Sequence, residues 1–174
     1  MFKFEEKIIS NQMTLLMEFS QSYALYQGVS EFLKSNPLNL EYWVHLNNIS
    51  VNDLIIKWCK IFGADKNETH WKKASHTAGF HDFVRNRIIN ICFESNFEAW
   101  ENYRQDMIDF RNTYSAHRDL GNFSGVPFLQ KSFQTAACFF DFLVDAFGPW
   151  ASHQPYLVEY FEKHKLLVEC NLKT

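Results

Sequence analysis

Apolar positions in this chain recur with helical spacing, and the breaks between such runs divide it into about six segments. From Phe4 to Lys34 the positions Ile8, Ile9, Met13, Leu16, Met17 and Phe19 mostly follow one helix face. A break is expected near Gln27-Gly28. Asn36-Pro37 ends the run, because proline disfavours the α conformation in the residue before it. A second helix is predicted over 40–62, where Trp43, Leu46, Ile49, Leu54, Trp58 and Ile61 form a stripe facing a core, with Gly63 as its stop. Residues 64–80 read as a polar, basic loop or short helical turn. A third helix is predicted over 81–93. A fourth, over 97–118, has Ser95 or Asn96 as its cap, and Trp100, Tyr103, Met107, Phe110 and Tyr114 step by three or four along it. GNFSG at 121–125 is a turn. The fifth helix, 128–147, is apolar round much of its circumference, should be central, and stops at Gly148-Pro149. The sixth, 155–170, opens with proline, whose missing N–H costs nothing at an early helical position.

Helices of these lengths with short connections suit an antiparallel bundle: an all-α fold, one domain over residues 1–174. Composition agrees. Six Gly and four Pro are too few for the many tight turns of a sandwich or barrel, and 47% apolar with 17% aromatic residues excludes a disordered chain. A net charge of −3 excludes a surface that is basic all over, so any nucleic-acid footprint must be local. Cys59, Cys92, Cys138 and Cys170 contain no CxxC pair and read as reduced, buried thiols. The start, MFKFEEKIIS, has Glu5 and Glu6 where a signal peptide would need a basic start and an apolar run. The most apolar stretch, Thr135 to Trp150, is interrupted by Asp141 and Asp145 and is too short to span a bilayer. A cytoplasmic protein without membrane contact is expected.

Candidate chemistry lies at the end of the fourth helix, in Asp109-Phe110-Arg111-Asn112-Thr113-Tyr114-Ser115-Ala116-His117-Arg118-Asp119. An Arg, an amide and a His form a set suited to a phosphodiester. Arg offers a planar fork of donors to phosphate oxygens, and His titrates near neutrality and can carry a proton. Asn can orient either the phosphate or the imidazole.

Arg111-Asn112 followed by His117 resembles the R-x(4–6)-H motif of the HEPN superfamily (higher eukaryotes and prokaryotes nucleotide-binding). Val51 to Gly63 (VNDLIIKWCKIFG), Asp65 to Lys73 (DKNETHWKK) and Phe110 to Leu120 (FRNTYSAHRDL) are similar to the abortive-infection subgroup, over about the middle third of the chain. The resemblance implies a helical bundle acting as a metal-independent endoribonuclease, in phage defence or as a toxin with an antitoxin protein as partner. It implies that Arg111 holds the scissile phosphate and Asn112 assists in positioning it. His117 would be the general acid or base while the RNA 2′-hydroxyl attacks, leaving a cyclic phosphate. Six residues at about 100° each set Arg111 and His117 some 120° apart on an ideal helix, with a rise of about 9 Å. Convergence needs either a distorted or ended helix near His117, or a two-fold dimer that brings two motifs across one interface. The resemblance implies the homodimer.

Two other functions compete. A non-catalytic HEPN module would bind nucleotide or a partner protein, and a plain interaction bundle would lie outside the family. An Arg and a His at a helix end also serve simply to satisfy carbonyls and the helix dipole. Around 60–87, Lys60, Lys66, Lys72, Lys73, Arg85 and Arg87 outnumber Asp65, Glu68 and Asp82. With Arg118, the residues Lys72, Lys73, Trp71 and His70 are the candidate RNA contacts, the cations for the backbone and the rings for stacking. The alternative is a solvated basic loop with Trp71 tucked into the core. By contrast, in 101–120 Arg104, Arg111 and Arg118 are outnumbered by Glu101, Asp106, Asp109 and Asp119. His70, His76 and His81 match no zinc spacing and read as surface or capping residues, so no metal is expected. No nucleophile elbow, Walker loop or dinucleotide glycine motif occurs, so no cofactor is expected.

Overall fold

Thirty residues of uninterrupted helix, α1 (Glu6–Ser35), form the spine against which α2, α5 and α6 pack. The computed structural model describes residues 2–36, 41–113, 125–147 and 155–172. Five more helices follow in it: α2 (Glu41–Phe62), α3 (Phe80–Cys92), α4 (Phe97–Phe110), α5 (Leu129–Phe147) and α6 (Leu157–Leu172), with a 3-10 turn at Trp71–Ala74 between α2 and α3. Among the described residues only one isolated bridge, Phe4 to Ser75, is extended pairing. The expected all-α bundle is what forms.

The expected break at Gln27-Gly28 is absent. Gly28 is buried inside α1, and a Cβ placed on it would lie 2.5 Å from Val168 Cγ1. The glycine therefore marks where α6 closes on α1 rather than a turn. Paired contacts give the directions. Ser30 with Asn47, and Lys57 with Glu18, run α2 antiparallel to α1, while Gln21 with Tyr160 and Gly28 with Val168 run α6 alongside α1 in the same sense.

The buried line of α2 is Ser50, Val51, Leu54, Ile55, Trp58, Cys59, Ile61 and Phe62. Ile49 is exposed and Trp43 and Leu46 are only half-buried, contrary to the predicted stripe. At Ile49 the reason is rotational, since the step of five to Leu54 turns about 140° and leaves Ile49 on the far side of the helix from it, whereas Trp43, near the start of α2, packs on Phe32 of α1. Around Trp58 the rings of Phe62, Trp100 and Tyr103 meet edge-on or tilted, joining α2 to α4. α5 is central, with Thr135 to Phe140 buried without interruption.

The ends have local causes. Asn96 caps α4 by accepting the Ala99 N–H at 3.0 Å, and Ser95 instead turns through the left-handed region as α3 ends. α6 starts at Leu157, two residues after Pro155, where Asp141 of α5 accepts the Leu157 N–H at 3.1 Å. The expected stop at Gly148-Pro149 and most of the GNFSG turn lie outside the described residues. Cys59, Cys92 and Cys138 are buried thiols, but Cys170 is exposed on α6, contrary to expectation. No described helix is long and apolar enough to cross a membrane.

Candidate functional site

The segment after α2 is held by side chains that finish that helix. Gly63 N–H and Asn67 Nδ2 both donate to the Cys59 carbonyl, and the Thr69 hydroxyl donates to the Lys60 carbonyl, so the last turn of α2 is satisfied by the chain that follows it. From α1 the buried Gln12 amide donates to the His70 and Thr69 carbonyls at 2.9 and 3.3 Å. Upstream, Glu5 N–H donates to the Ala74 carbonyl, and the Ser75 hydroxyl donates to the Lys3 carbonyl. The basic loop is therefore a pinned element.

His70 sits at its centre, 1% exposed. Its Nδ1 accepts the Lys72 backbone N–H at 3.3 Å, capping the 3-10 turn, and its Nε2 lies 3.2 Å from Asp65 Oδ1. With Nδ1 accepting, the neutral ring carries its hydrogen on Nε2 and donates it to Asp65. Burial pushes the imidazole down to about 4, against the pull of Asp65. The hydrogen bond from Lys72 Nζ, at 2.6 Å, holds Asp65 below the usual carboxylate range. Both ring nitrogens are thus committed within the fold.

Trp71 is buried, with Lys72 Nζ 5.7 Å from its ring centre. His70 and Trp71, read from sequence as stacking candidates, therefore offer no open face to a base. Lys72 and Lys73 stand half-exposed, and Lys66 is exposed.

On α4 the two arginines seven residues apart lie along one side of the helix, about 10 Å apart along its axis. Arg104 donates from Nη1 to the Gly63 carbonyl at 3.0 Å and pairs with Glu101 at 3.4 Å. Its charge acts on Asp65 and His70, so α4 and the basic loop share one electrostatic neighbourhood. Arg111 and Arg104 both favour the thiolate of Cys59, yet burial dominates and pushes that thiol up to about 12. The Cys59 S–H donates to the Met107 carbonyl at 3.5 Å and stays protonated.

At Arg111 the helix leaves α geometry and widens into a π turn over 111–113, a distortion frequent at functional positions. Asn112 Oδ1 accepts from Arg111 Nη2 at 2.7 Å and from Nε at 3.2 Å, which fixes the plane of the guanidinium. Arg111 is half-buried and Asn112 exposed. His117 and Arg118 lie outside the described residues.

The fold thus joins Arg104 to the loop carrying Asp65, Lys66, Lys72 and Lys73, while Arg111 and Asn112 stand two turns further along, over Cys59 of α2. Sequence reasoning counted Arg104 and Asp65 only as charges and missed their role in joining helix to loop. The seven-residue spacing of Arg104 and Arg111 is the signal that could have found it. Among the described residues, no group of three His, Cys, Asp or Glu side chains is placed to hold a metal ion. Comparison of the chain with protein-family models, with curated proteins and with solved structures finds no match.

Proposed function

We propose that this protein is a metal-independent endoribonuclease of the HEPN type, acting as a toxin or phage-defence factor with a composite site in a homodimer. The observation that carries the proposal is the Arg111 guanidinium, oriented by Asn112 at a π-distorted helix end, six residues before His117 in the R-x(4–6)-H pattern. The pinned loop supports it, because its lysines Lys66, Lys72 and Lys73 add positive charge to the segment that Arg104 ties to α4, against the acidic balance of residues 101–120.

In this reading Arg111 holds a non-bridging oxygen of the scissile phosphate. His117 takes the proton of the 2′-hydroxyl or supplies one to the departing 5′-oxygen. The 2′-oxygen forms a new bond to phosphorus, the bond to the 5′-oxygen breaks, and the products carry a 2′,3′-cyclic phosphate and a 5′-hydroxyl. Both steps need only positioning, charge and proton transfer.

The test is cleavage of single-stranded RNA in chelator. Wild type is expected to cut. His117→Ala and Arg111→Ala should each lose on the order of a hundredfold or more in rate, with cyclic-phosphate ends on the wild-type products. Equal rates for wild type and His117→Ala would overturn the proposal. A binding-only module is the second reading, favoured by one contact: the Nε and Nη2 edge of Arg111 already engages Asn112. RNA bound with unchanged affinity by wild type and His117→Ala, with no cleavage in either, would select it.

A further inference from the structure

Contacts between α3 and α5 set the two helices antiparallel. Towards one end Phe83 meets Phe142 with ring centres 5.5 Å apart, and the Arg87 guanidinium stands 6.0 Å from the centre of the same Phe142 ring. Towards the other, Lys131 Nζ donates to the Cys92 carbonyl at 2.5 Å. Lys131, Thr135, Cys138 and Phe142 follow one another by three or four positions and share one face of α5. That face brings Cys138 to Cys92. The two thiols lie within hydrogen-bonding reach of each other, and the Arg87 guanidinium also reaches the Cys138 sulfur. The cysteines are 46 positions apart in the chain, and the residues between them carry α4 and the Arg111 motif.

The two sulfurs are not equivalent. Cys92 is the last residue of α3, at the negative end of that helix's dipole, where a thiolate is disfavoured. Cys138 lies in the middle of α5 beside a cation, and the Arg87 Nε is buried with no hydrogen bond among the described residues. The hydrogen bond from Cys92 and the charge of Arg87 hold the Cys138 thiol below its ordinary value, against burial and the nearby Asp141. The same hydrogen bond and burial push the Cys92 thiol up. Cys138 is also the more exposed of the two, at 8% against 2%. Cys59 provides the contrast: buried, donating to the Met107 carbonyl, and without a second thiol.

We infer that Cys92 and Cys138 form a modification site, a dithiol that hydrogen peroxide closes into a disulfide between α3 and α5. The Cys138 thiolate attacks one peroxide oxygen and the O–O bond breaks. The departing hydroxide takes up the proton that Cys138 released and leaves as water, and Cys138 is left as a sulfenic acid. The Cys92 sulfur then attacks the Cys138 sulfur and the S–O bond breaks. Hydroxide leaves with the Cys92 proton as a second water. The two thiols lose two electrons in all, and the peroxide gains them. Neither RNA nor a dimer enters the reaction, so it stands apart from the nuclease proposal. Its consequence is that oxidation ties together the ends of the segment bearing α4.

Peptide mass spectrometry of the full chain tests it, after reduction, brief exposure to hydrogen peroxide and alkylation of the remaining thiols. Wild type is expected to give an intramolecular Cys92–Cys138 link, two hydrogens lighter and reversed by dithiothreitol, with Cys59 still alkylated. Its melting temperature should rise by about 5–10 °C on oxidation, since the link closes a long loop. Cys92→Ala should stop at a Cys138 sulfenic acid that dimedone labels, whereas Cys138→Ala should leave Cys92 unlabelled. Arg87→Gln should slow the reaction about tenfold and still yield the same link. The mapping on wild type needs no variant to fold. Peroxide that leaves both thiols free, or links either of them to Cys59 or Cys170 instead, would overturn the inference. So would a Cys92–Cys138 link that forms equally fast in concentrated urea, dimedone on Cys92 in Cys138→Ala, or an Arg87→Gln chain that reacts as fast as wild type.

Discussion

His70 is a histidine whose charge the fold forbids. Its imidazole is buried, its Nδ1 accepts a backbone hydrogen and its Nε2–H points to Asp65, so the neutral ring is the form that fits. In the unfolded chain it titrates near 6.5, and in the folded one near 4. Between those values the unfolded state binds more protons, so stability rises with pH and is lost as pH falls from about 6.5 towards about 4. Urea unfolding across that window should show a loss of up to ~3 kcal/mol, and His70→Gln, which cannot titrate, should flatten the slope. An unchanged slope in His70→Gln would assign the pH dependence to other groups. The depth of His70 was not legible in its sequence neighbourhood, which is polar and basic. Gln12, 58 positions away, and the loop's own return over α2 bury it.

The helices themselves were legible because each shows an apolar face of regular period, and α3 and α5 end within one residue of their expected bounds, whereas α4 starts at the expected Phe97 but gives way at Phe110, short of the expected 118, to the π turn at Arg111. Glycine was misjudged at Gly28, since a residue without a side chain serves equally for a turn and for the close approach of two helices. The distinction depends on Val168, which is 140 positions further on. Substitution should show it. Gly28→Ala gains helix propensity of about 1 kcal/mol, but its Cβ would sit 2.5 Å from a methyl of Val168, a β-branched residue with few rotamers to retreat into. The expected net effect is a loss of ~1–2 kcal/mol. Val168→Ala in the same chain should recover part of it, giving a coupling of about 1 kcal/mol in a double-mutant cycle by thermal unfolding. Additive effects would mean that α6 can shift away from α1 without cost.

At the scale of the molecule, the formal charge of −3 hides an uneven distribution. The motif at Arg111 was legible because two side chains and their spacing suffice to suggest phosphate chemistry. The charges around α4 were not, because the loop cations come from about forty residues earlier and are tied to α4 through the bond from Arg104 to the Gly63 carbonyl. Counting charge by sequence window therefore separated the loop from the Arg104 that the fold ties to it. Whether the loop and Arg111 serve one ligand under the proposed function is measurable with the His117→Ala variant, which in that reading binds RNA without consuming it. Each cation that contacts the backbone of a single strand contributes about 0.7 to the slope of log affinity against log salt. Lys66 and Lys73 are the loop cations without a carboxylate partner among the described contacts, whereas Lys72 is held by Asp65. Removing both in Lys66→Ala/Lys73→Ala should reduce the slope by roughly 1.4 and weaken binding most at low salt. Arg85→Ala, on α3 and paired with Asp82, should leave the slope as it is. If instead the Arg85 variant lowers the slope and the lysine pair does not, RNA follows α3, and Arg111 lies away from its path.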